Sequence, residues 1–313
     1  MISALLQHIA AQGARGAVVP FARVADLKQD MQALKDGDFH TDWLDRMAGY
    51  IAQEENKFIP DSVDFTPRSI ISVAIPSPKL MLPFVYCGRE VLCTVPPHYH
   101  ATGPEINGRE MEQYLQDYLA PLGYHAVMAV TLPQKMLAVH SGLGRYGRNN
   151  ICYHKEFGSH MFLMSFVSDM PCQEDNWLPL QRMERCDTCQ ICVEHCPTGA
   201  LDSNRRLVNA DRCITAYNEY HGDIPDWLDD RWHNSLTGCM ACQELCPANV
   251  HNKNNVTTTE AFTEEETLEI LGHTAERPYT EATADKLTAT GISWDFLELF
   301  PRNLALLLAK EAF

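Results

Sequence analysis

The spacing of cysteines is the feature of this sequence that most constrains its fold. Eight of the 12 cysteines lie between residues 186 and 246, and the first four form C-x2-C-x2-C-x3-C followed by Pro197. This spacing is typical of thiolate ligation of a 4Fe–4S cluster, and its fourth cysteine conventionally ligates the other cluster of a pair. The remaining four are Cys213, Cys239, Cys242 and Cys246, the last followed by Pro247. The segment therefore predicts a ferredoxin-like domain with two clusters.

The spacing distributes the eight cysteines over two clusters with none left over. Cluster 1 is predicted to be held by Cys186, Cys189, Cys192 and Cys246. Cluster 2 is predicted to be held by Cys196, Cys213, Cys239 and Cys242. Zinc also binds C-x2-C pairs, but three cysteines at x2 spacing followed by x3-C-P fit an iron–sulfur cubane better. Disulfides are typical of small secreted chains rather than of a chain of 313 residues.

Length and charge limit the class of protein. At about 150 residues per domain, 313 residues predict two units. No apolar run approaches the roughly 18 residues of a membrane span, and residues 1–16 look like an amphipathic helix rather than a signal peptide. We therefore expect a cytoplasmic protein with no membrane partner. The net charge of −16 argues against nonspecific binding of nucleic acid.

Hydrophobic periodicity predicts an α+β chain of three consecutive parts. An α/β domain is expected over residues 1–169, the cysteine domain over 170–252, and a C-terminal helical segment over 253–313 that packs back on the first domain. The cysteine domain has little apolar mass and is expected to need iron to fold. Predicted helices are Ser3–Gln12, Ala25–Lys35, Trp43–Glu54, Gly108–Leu122 and Pro301–Lys310. Predicted strands are Gly16–Pro20, Ser69–Ile75, Tyr124–Val130 and Phe162–Val167, with a hairpin of Phe84–Cys87 and Val91–Val95.

A glycine-rich segment, Gly142–Gly147, matches the G-x-G-x-x-G pattern of dinucleotide-binding proteins. That pattern requires a strand before it and a helix after it. Here Leu132–His140 looks helical, and the Asn149-Asn150 pair does not favour a following helix. We therefore interpret the segment as a loop whose backbone approaches a large planar or anionic ligand, with donors from Arg145, Arg148, Asn149 and Asn150. A tight helix-to-strand turn with a solvated basic face remains the alternative.

A second candidate site is the run His98-Tyr99-His100 after two prolines. Two imidazoles and a phenol are suited to acid–base chemistry near neutral pH, although such residues also occur in ordinary surface loops. The four cysteines outside the cluster pattern, Cys87, Cys93, Cys152 and Cys172, are expected to be buried or inert.

Several segments resemble the epoxyqueuosine reductase family and the related cobalamin-dependent reductive dehalogenases. They are SGLGRYGRNNICYHKEFGSHMFLMSFVSD, CDTCQICVEHCPTGAL, DRCITAYN and GCMACQELCPAN, with PRSIISVAIP and PRNLALLL near the two ends. The resemblance implies a nitroreductase-like α/β corrinoid-binding domain fused to a ferredoxin-like double 4Fe–4S cluster domain. A base-off cobalamin would be lined by Gly142, Leu143, Gly144, Arg145, Tyr146, Gly147, Arg148, Asn149, Asn150, Gly158 and Ser159. It also implies a low-potential electron donor such as a ferredoxin or a flavodoxin.

One departure from the family pattern concerns the proton donor. The family carries an Asp in the strand before the glycine loop, and ungapped alignment places Met128 at that position. The Trp usual after Gly-Leu-Gly is replaced by Arg145. Methionine cannot transfer a proton, so Tyr146, Tyr99 and His100 are the candidate donors.

The resemblance and this departure together predict a cobalamin-dependent iron–sulfur oxidoreductase that acts on another, small-molecule substrate. One alternative is an electron-transfer protein that reduces the cobalt of a partner corrinoid protein for a methyltransferase. The other is reduction of epoxyqueuosine in tRNA with a relocated proton donor.

Overall fold

The computed structural model describes residues 1–35, 58–101, 107–204 and 207–311. They form two compact units, each assembled from separate stretches of chain. Unit 1 contains the described residues within 1–76, 104–190 and 203–209, and unit 2 those within 77–103, 191–202 and 210–313. This division differs from the three consecutive domains expected from the sequence, because residues 77–103 pair and pack with elements from the C-terminal third of the chain.

The strands in chain order are β1 Arg15–Pro20, β2 Ser69–Pro76, β3 Lys79–Tyr86, β4 Arg89–Val95, β5 Ala126–Met128, β6 Arg145–Tyr146, β7 Cys152–Tyr153, β8 Met161–Ser168 and β9 Val256–Thr258. The helices are α1 Ile2–Ala10, α2 Val24–Lys35, α3 Gly108–Leu119, α4 Gln134–His140, α5 Ile191–Glu194, α6 Ile214–Asn218, α7 Ala241–Glu244, α8 Glu264–Leu271, α9 Glu281–Thr288, α10 Trp294–Leu297 and α11 Phe300–Glu311. These bounds confirm the predicted elements within a few residues, except for Trp43–Glu54, which lies outside the described residues.

Unit 1 is built on an antiparallel sheet of order β1-β2-β8-β5. All of β2 before Pro76 is buried, which explains why this predicted strand shows so little alternation. Successive side chains of β8 point to opposite faces of the sheet, as in any β-strand. Phe166 packs on the face covered by α1 and α3, and Val167 packs on the face covered by α2 and α4. The sheet is therefore covered on both faces.

Unit 2 contains the sheet β4-β3-β9. The hairpin β3–β4 turns at Cys87 and Gly88, whose φ angles of 50° and 70° are typical of a two-residue type I′ turn. The turn is thus tighter than the three-residue Gly88–Glu90 connection expected from the sequence. The inward side chains of β3 pack against α8 and α11, so the C-terminal helix covers this hairpin.

Short elements dominate the cysteine segment. Apart from α5, α6 and α7, it consists of 3-10 turns such as Glu184–Asp187 and Pro247–Asn249. None of the helices in the described part of the chain has the length and apolar character needed to cross a bilayer.

Candidate iron–sulfur and ligand sites

All four predicted ligands of cluster 2 belong to unit 2. Cys213 is the N-cap residue of α6. Cys239 lies just before α7, which begins at Ala241. Both cysteines therefore lie at helix N-termini, an arrangement that stabilises thiolates.

The electrostatics show that these cysteines lie near one another. Burial above all, with contributions from the charges of Cys239 and Cys196, raises the pKa of the Cys213 thiol to about 11. Burial likewise raises the pKa of Cys239, with a contribution from Cys196. A bound metal centre deprotonates a coordinating thiol outright, so convergent buried thiols fit a cationic iron cluster.

The predicted ligands of cluster 1 are divided between the units. Cys186 and Cys189 belong to unit 1, and Cys192 and Cys246 to unit 2. Cys186 is buried in the 3-10 turn Glu184–Asp187. Within the residues described, no three His, Cys, Asp or Glu side chains are arranged to hold a single metal ion. A 4Fe–4S cluster is a different case, because its four cysteines ligate separate irons.

The glycine-rich segment connects a helix to a hairpin. α4 ends at His140, Gly142 turns the chain with a φ of 77°, and β6 then pairs with β7. Gly147 N–H donates to the carbonyl of Ile151 at 2.7 Å, and Asn150 closes the turn with a φ of 59°. No helix follows in residues 147–153, so the segment lacks the strand–loop–helix context of a dinucleotide site, as predicted.

The loop needs glycine because its own neighbours occupy the space a side chain would take. A Cβ atom on Gly144 would lie 2.5 Å from the sulfur of Cys152, and one on Gly147 would lie 2.6 Å from the ring of Tyr153. The sequence interpretation assigned these glycines to close approach of a ligand. In the structure, packing against Cys152 and Tyr153 of β7 is sufficient to explain why both positions require glycine.

Arg148 joins the loop to the cysteine segment. Its buried guanidinium donates to the carbonyls of Cys189 at 3.0 Å and Ser203 at 2.8 Å, and also to the carbonyl of Cys186. The sequence predicted ligand contacts for this side chain, but its donors go to protein carbonyls. Arg145 differs, because its side chain is exposed and forms only a long ion pair, with Nη1 3.4 Å from the carboxylate of Glu184.

The other predicted loop residues also have protein contacts. The side-chain amide of Asn149 donates to the hydroxyl of Tyr153 at 2.8 Å. Gly158 exchanges two backbone hydrogen bonds with His154, and Ser159 is buried beside it. Their assignment to a corrinoid stays a prediction.

A cavity of about 390 Å³ lies within unit 1 beside this loop. Its walls are mainly apolar with a few polar side chains, as is usual for small-molecule sites. The lining residues are Leu34, Met136, Tyr146, Gly147, Arg148, Asn150, Leu180, Gln181, Arg182, Asp187 and Leu207. Four of the predicted loop residues therefore line one cavity.

The three candidate proton donors lie in different surroundings. Tyr146 lines the cavity of unit 1, where burial above all, and then the charges of Cys152 and Asp30, raise the pKa of its phenol. In unit 2, Tyr99 donates to the carboxylate of Glu219, and burial raises the pKa of its phenol well above the ordinary value. His100 is buried with Nε2 3.0 Å from the carbonyl of Pro78. The surface-loop alternative for Tyr99 and His100 is therefore wrong.

Met128 lies on β5 and packs into the core on the side of α1 and α3. Its backbone N–H donates to the carboxylate of Glu112 at 2.7 Å. A carboxylate from α3 therefore lies beside the backbone of residue 128, although residue 128 itself is not acidic. The sequence reasoning missed it, because nothing local to residue 112 indicates contact with residue 128.

A partly buried pair next to the loop was also missed. His140 has Nε2 2.9 Å from the carboxylate of Asp30 and Nδ1 2.6 Å from the carbonyl of Leu178, and its ring stacks on Trp177. Both ring nitrogens therefore face oxygen acceptors. The position of His140 directly before the glycine loop was the available signal.

Comparisons with known proteins support a double-cluster domain in the cysteine segment. The family model described as a 4Fe-4S double cluster binding domain matches residues 185–249, which include all eight predicted ligands. An epoxyqueuosine reductase of Pseudomonas aeruginosa is 34% identical over 143 residues, or 45% of this chain. The match spans 38% of that relative's length.

Solved structures show the same fold over nearly the whole chain. A crystal structure of selenomethionine-labelled epoxyqueuosine reductase has a TM-score of 0.68 at 20% identity, covering 99% of this chain and 81% of that one. Another, of epoxyqueuosine reductase with an epoxyqueuosine-modified tRNA-Tyr stem loop, has a TM-score of 0.66 at 21% identity and the same coverage. The chain is therefore similar to epoxyqueuosine reductases in sequence and in fold, and its residues 185–249 match a double 4Fe–4S cluster binding domain, as the sequence resemblance indicated.

Proposed function

We propose that the protein is a cobalamin-dependent iron–sulfur oxidoreductase that reduces a small organic substrate at the cavity of unit 1. The fold is proposed to be nitroreductase-like in this unit. When bound, the two clusters supply low-potential electrons and the cobalamin supplies a strongly reducing cobalt centre. A ferredoxin or flavodoxin is the proposed electron donor.

One observation supports this proposal above the others. Arg148 lines the cavity and also donates to the carbonyls of Cys186 and Cys189, two predicted ligands of cluster 1. A single side chain thus connects the wall of a ligand cavity with the peptide that carries the electron source. Such a connection is expected where electrons enter the cavity from the cluster.

The chain's own residues have separate tasks in this proposal. The raised pKa keeps the phenol of Tyr146 protonated at neutral pH, so its hydroxyl holds a proton at the cavity wall. The apolar lining from Leu34, Met136 and Leu180 excludes water and favours a flat organic ligand. A volume of about 390 Å³ encloses a small substrate or part of a corrinoid, not an entire one.

Cobalamin binding by the cluster-loaded protein tests the proposal. We expect an anaerobic spectrophotometric titration to saturate at one cobalamin per chain. Leu34→Trp should weaken binding by narrowing the cavity, whereas Leu268→Trp, the same change at a residue 54% exposed, should not. Absence of binding by wild-type protein that carries both clusters would refute the proposal.

Reduction of cobalt for a partner methyltransferase is a second candidate. The observation that favours it is Met128, which leaves this position of β5 without an ionisable side chain of its own. In this case the purified protein would reduce a corrinoid protein but turn over no small substrate.

Reduction of epoxyqueuosine in tRNA is a third candidate, and the structural similarity to the tRNA-bound epoxyqueuosine reductase favours it. The charge of −16 opposes docking of a polyanion. Restored queuosine in a strain that lacks the usual reductase would establish this activity.

A further inference from the structure

Two side chains lie at hydrogen-bond distance from the predicted ligands of cluster 2. The amide of Asn234 donates to the sulfur of Cys239 at 3.2 Å. The hydroxyl of Thr198 lies 3.6 Å from the sulfur of Cys196. Two of the four predicted ligands therefore have a side-chain partner, and the two partners come from separate stretches of unit 2.

The direction of each bond follows from its surroundings. The Oδ1 atom of Asn234 accepts from the backbone N–H of Met240 at 2.8 Å, and this contact fixes which end of the amide faces Cys239. The second amide hydrogen is used by the carbonyl of Trp232 at 3.1 Å. A cysteine bound to iron is a thiolate without a proton, so the hydroxyl of Thr198 is necessarily the donor toward Cys196.

Donors to ligand sulfurs change the reduction potential of a cluster. An added electron makes the cluster more negative and its sulfurs better acceptors, so a fixed donor stabilises the reduced form more than the oxidised form. We propose that Thr198 and Asn234 are positioning residues that raise the reduction potential of cluster 2. The inference rests on the two-cluster part of the proposed function and not on cobalamin or on any substrate.

The test is a redox titration of the cluster-loaded protein monitored by EPR, with Thr198→Val and Asn234→Leu measured separately. We expect two midpoint potentials in the wild type, and the same one of the two should become more negative in both variants. Thr198→Ser keeps the hydroxyl and should retain the wild-type potential. Thr237→Val is the matched control, because Thr237 is fully buried in unit 2 and its hydroxyl has no hydrogen-bond partner among the described residues.

Unchanged potentials in the donor variants, or shifts of different clusters in different variants, would overturn the inference. A measurement on the unmodified protein does not depend on the folding of a variant. After exchange into D2O, pulsed EPR should detect deuterons coupled to reduced cluster 2. The absence of coupled deuterons would also refute the inference. Failure to incorporate eight irons per chain would instead count against the proposed function, which separates the two results.

Discussion

Replacement of Arg148 should destabilise unit 1 and loosen the peptide that carries Cys186 and Cys189. The buried guanidinium makes three hydrogen bonds to carbonyls, of Cys186, Cys189 and Ser203. Hydrogen bonds to a charged group contribute about 1.5 kcal/mol or more each, so the loss of three in Arg148→Met should lower the free energy of unfolding by at least about 4.5 kcal/mol. That is a large share of the roughly 5–15 kcal/mol by which proteins are stable.

Anaerobic urea unfolding of the cluster-loaded protein measures this effect, followed by far-UV circular dichroism and by cluster absorbance. Arg145→Met is the control in the same loop, because an exposed ion pair at 3.4 Å is worth about 0–1 kcal/mol. Arg148→Lys should give an intermediate loss, since one ammonium cannot reproduce the forked geometry. If the free energies of unfolding of Arg148→Met and Arg145→Met differed by less than about 1 kcal/mol, the proposed connection between loop and cluster would be refuted.

Three further predictions concern unit 1. Gly144→Ala should lower the thermal midpoint because its Cβ would lie 2.5 Å from the sulfur of Cys152, and the double variant with Cys152→Ala should recover part of the loss. Burial raises the pKa of Cys152 to about 12, so mass spectrometry should show iodoacetamide on the exposed Cys87 but not on Cys152 until the protein unfolds. Burial lowers the pKa of His154 below its ordinary value of 6.5. The contribution of His154 to stability is therefore present above pH 6.5 and is lost as the pH falls through the folded-state pKa. The difference between the urea midpoints at pH 7.5 and pH 5.5 should therefore be smaller for His154→Gln than for the wild type.

Local sequence signals were sufficient for individual elements but not for their grouping. The buried strand β2 depends on residues close in the chain, and so does the capping box at the start of α8, where Thr263 and Glu266 exchange bonds of 2.7 and 3.2 Å. The interleaved units depend on β3 pairing with β9, whose residues lie well over a hundred positions downstream. No period or turn signal carries information about such a distant partner.

The candidate sites show the same limit. Cysteine spacing predicted a double-cluster domain, which the family model over residues 185–249 supports, because the ligands of a cubane lie close together in the sequence. The predicted tasks of Gly144 and Arg148 depended on what lies behind the loop, which the sequence does not reveal. In the structure, Cys152 occupies the space beside Gly144, and carbonyls 38 to 55 residues away accept from Arg148.

Two 4Fe–4S clusters and a cobalamin are proposed to act together in this chain. Absorption and EPR spectra of the anaerobically reconstituted protein, recorded with and without cobalamin and then after partial reduction, test this proposal. We expect signals of two 4Fe–4S clusters, and the spectrum of base-off Co(II) once cobalamin is added. Two intact clusters together with a cobalamin spectrum identical to that of the free cofactor would contradict it.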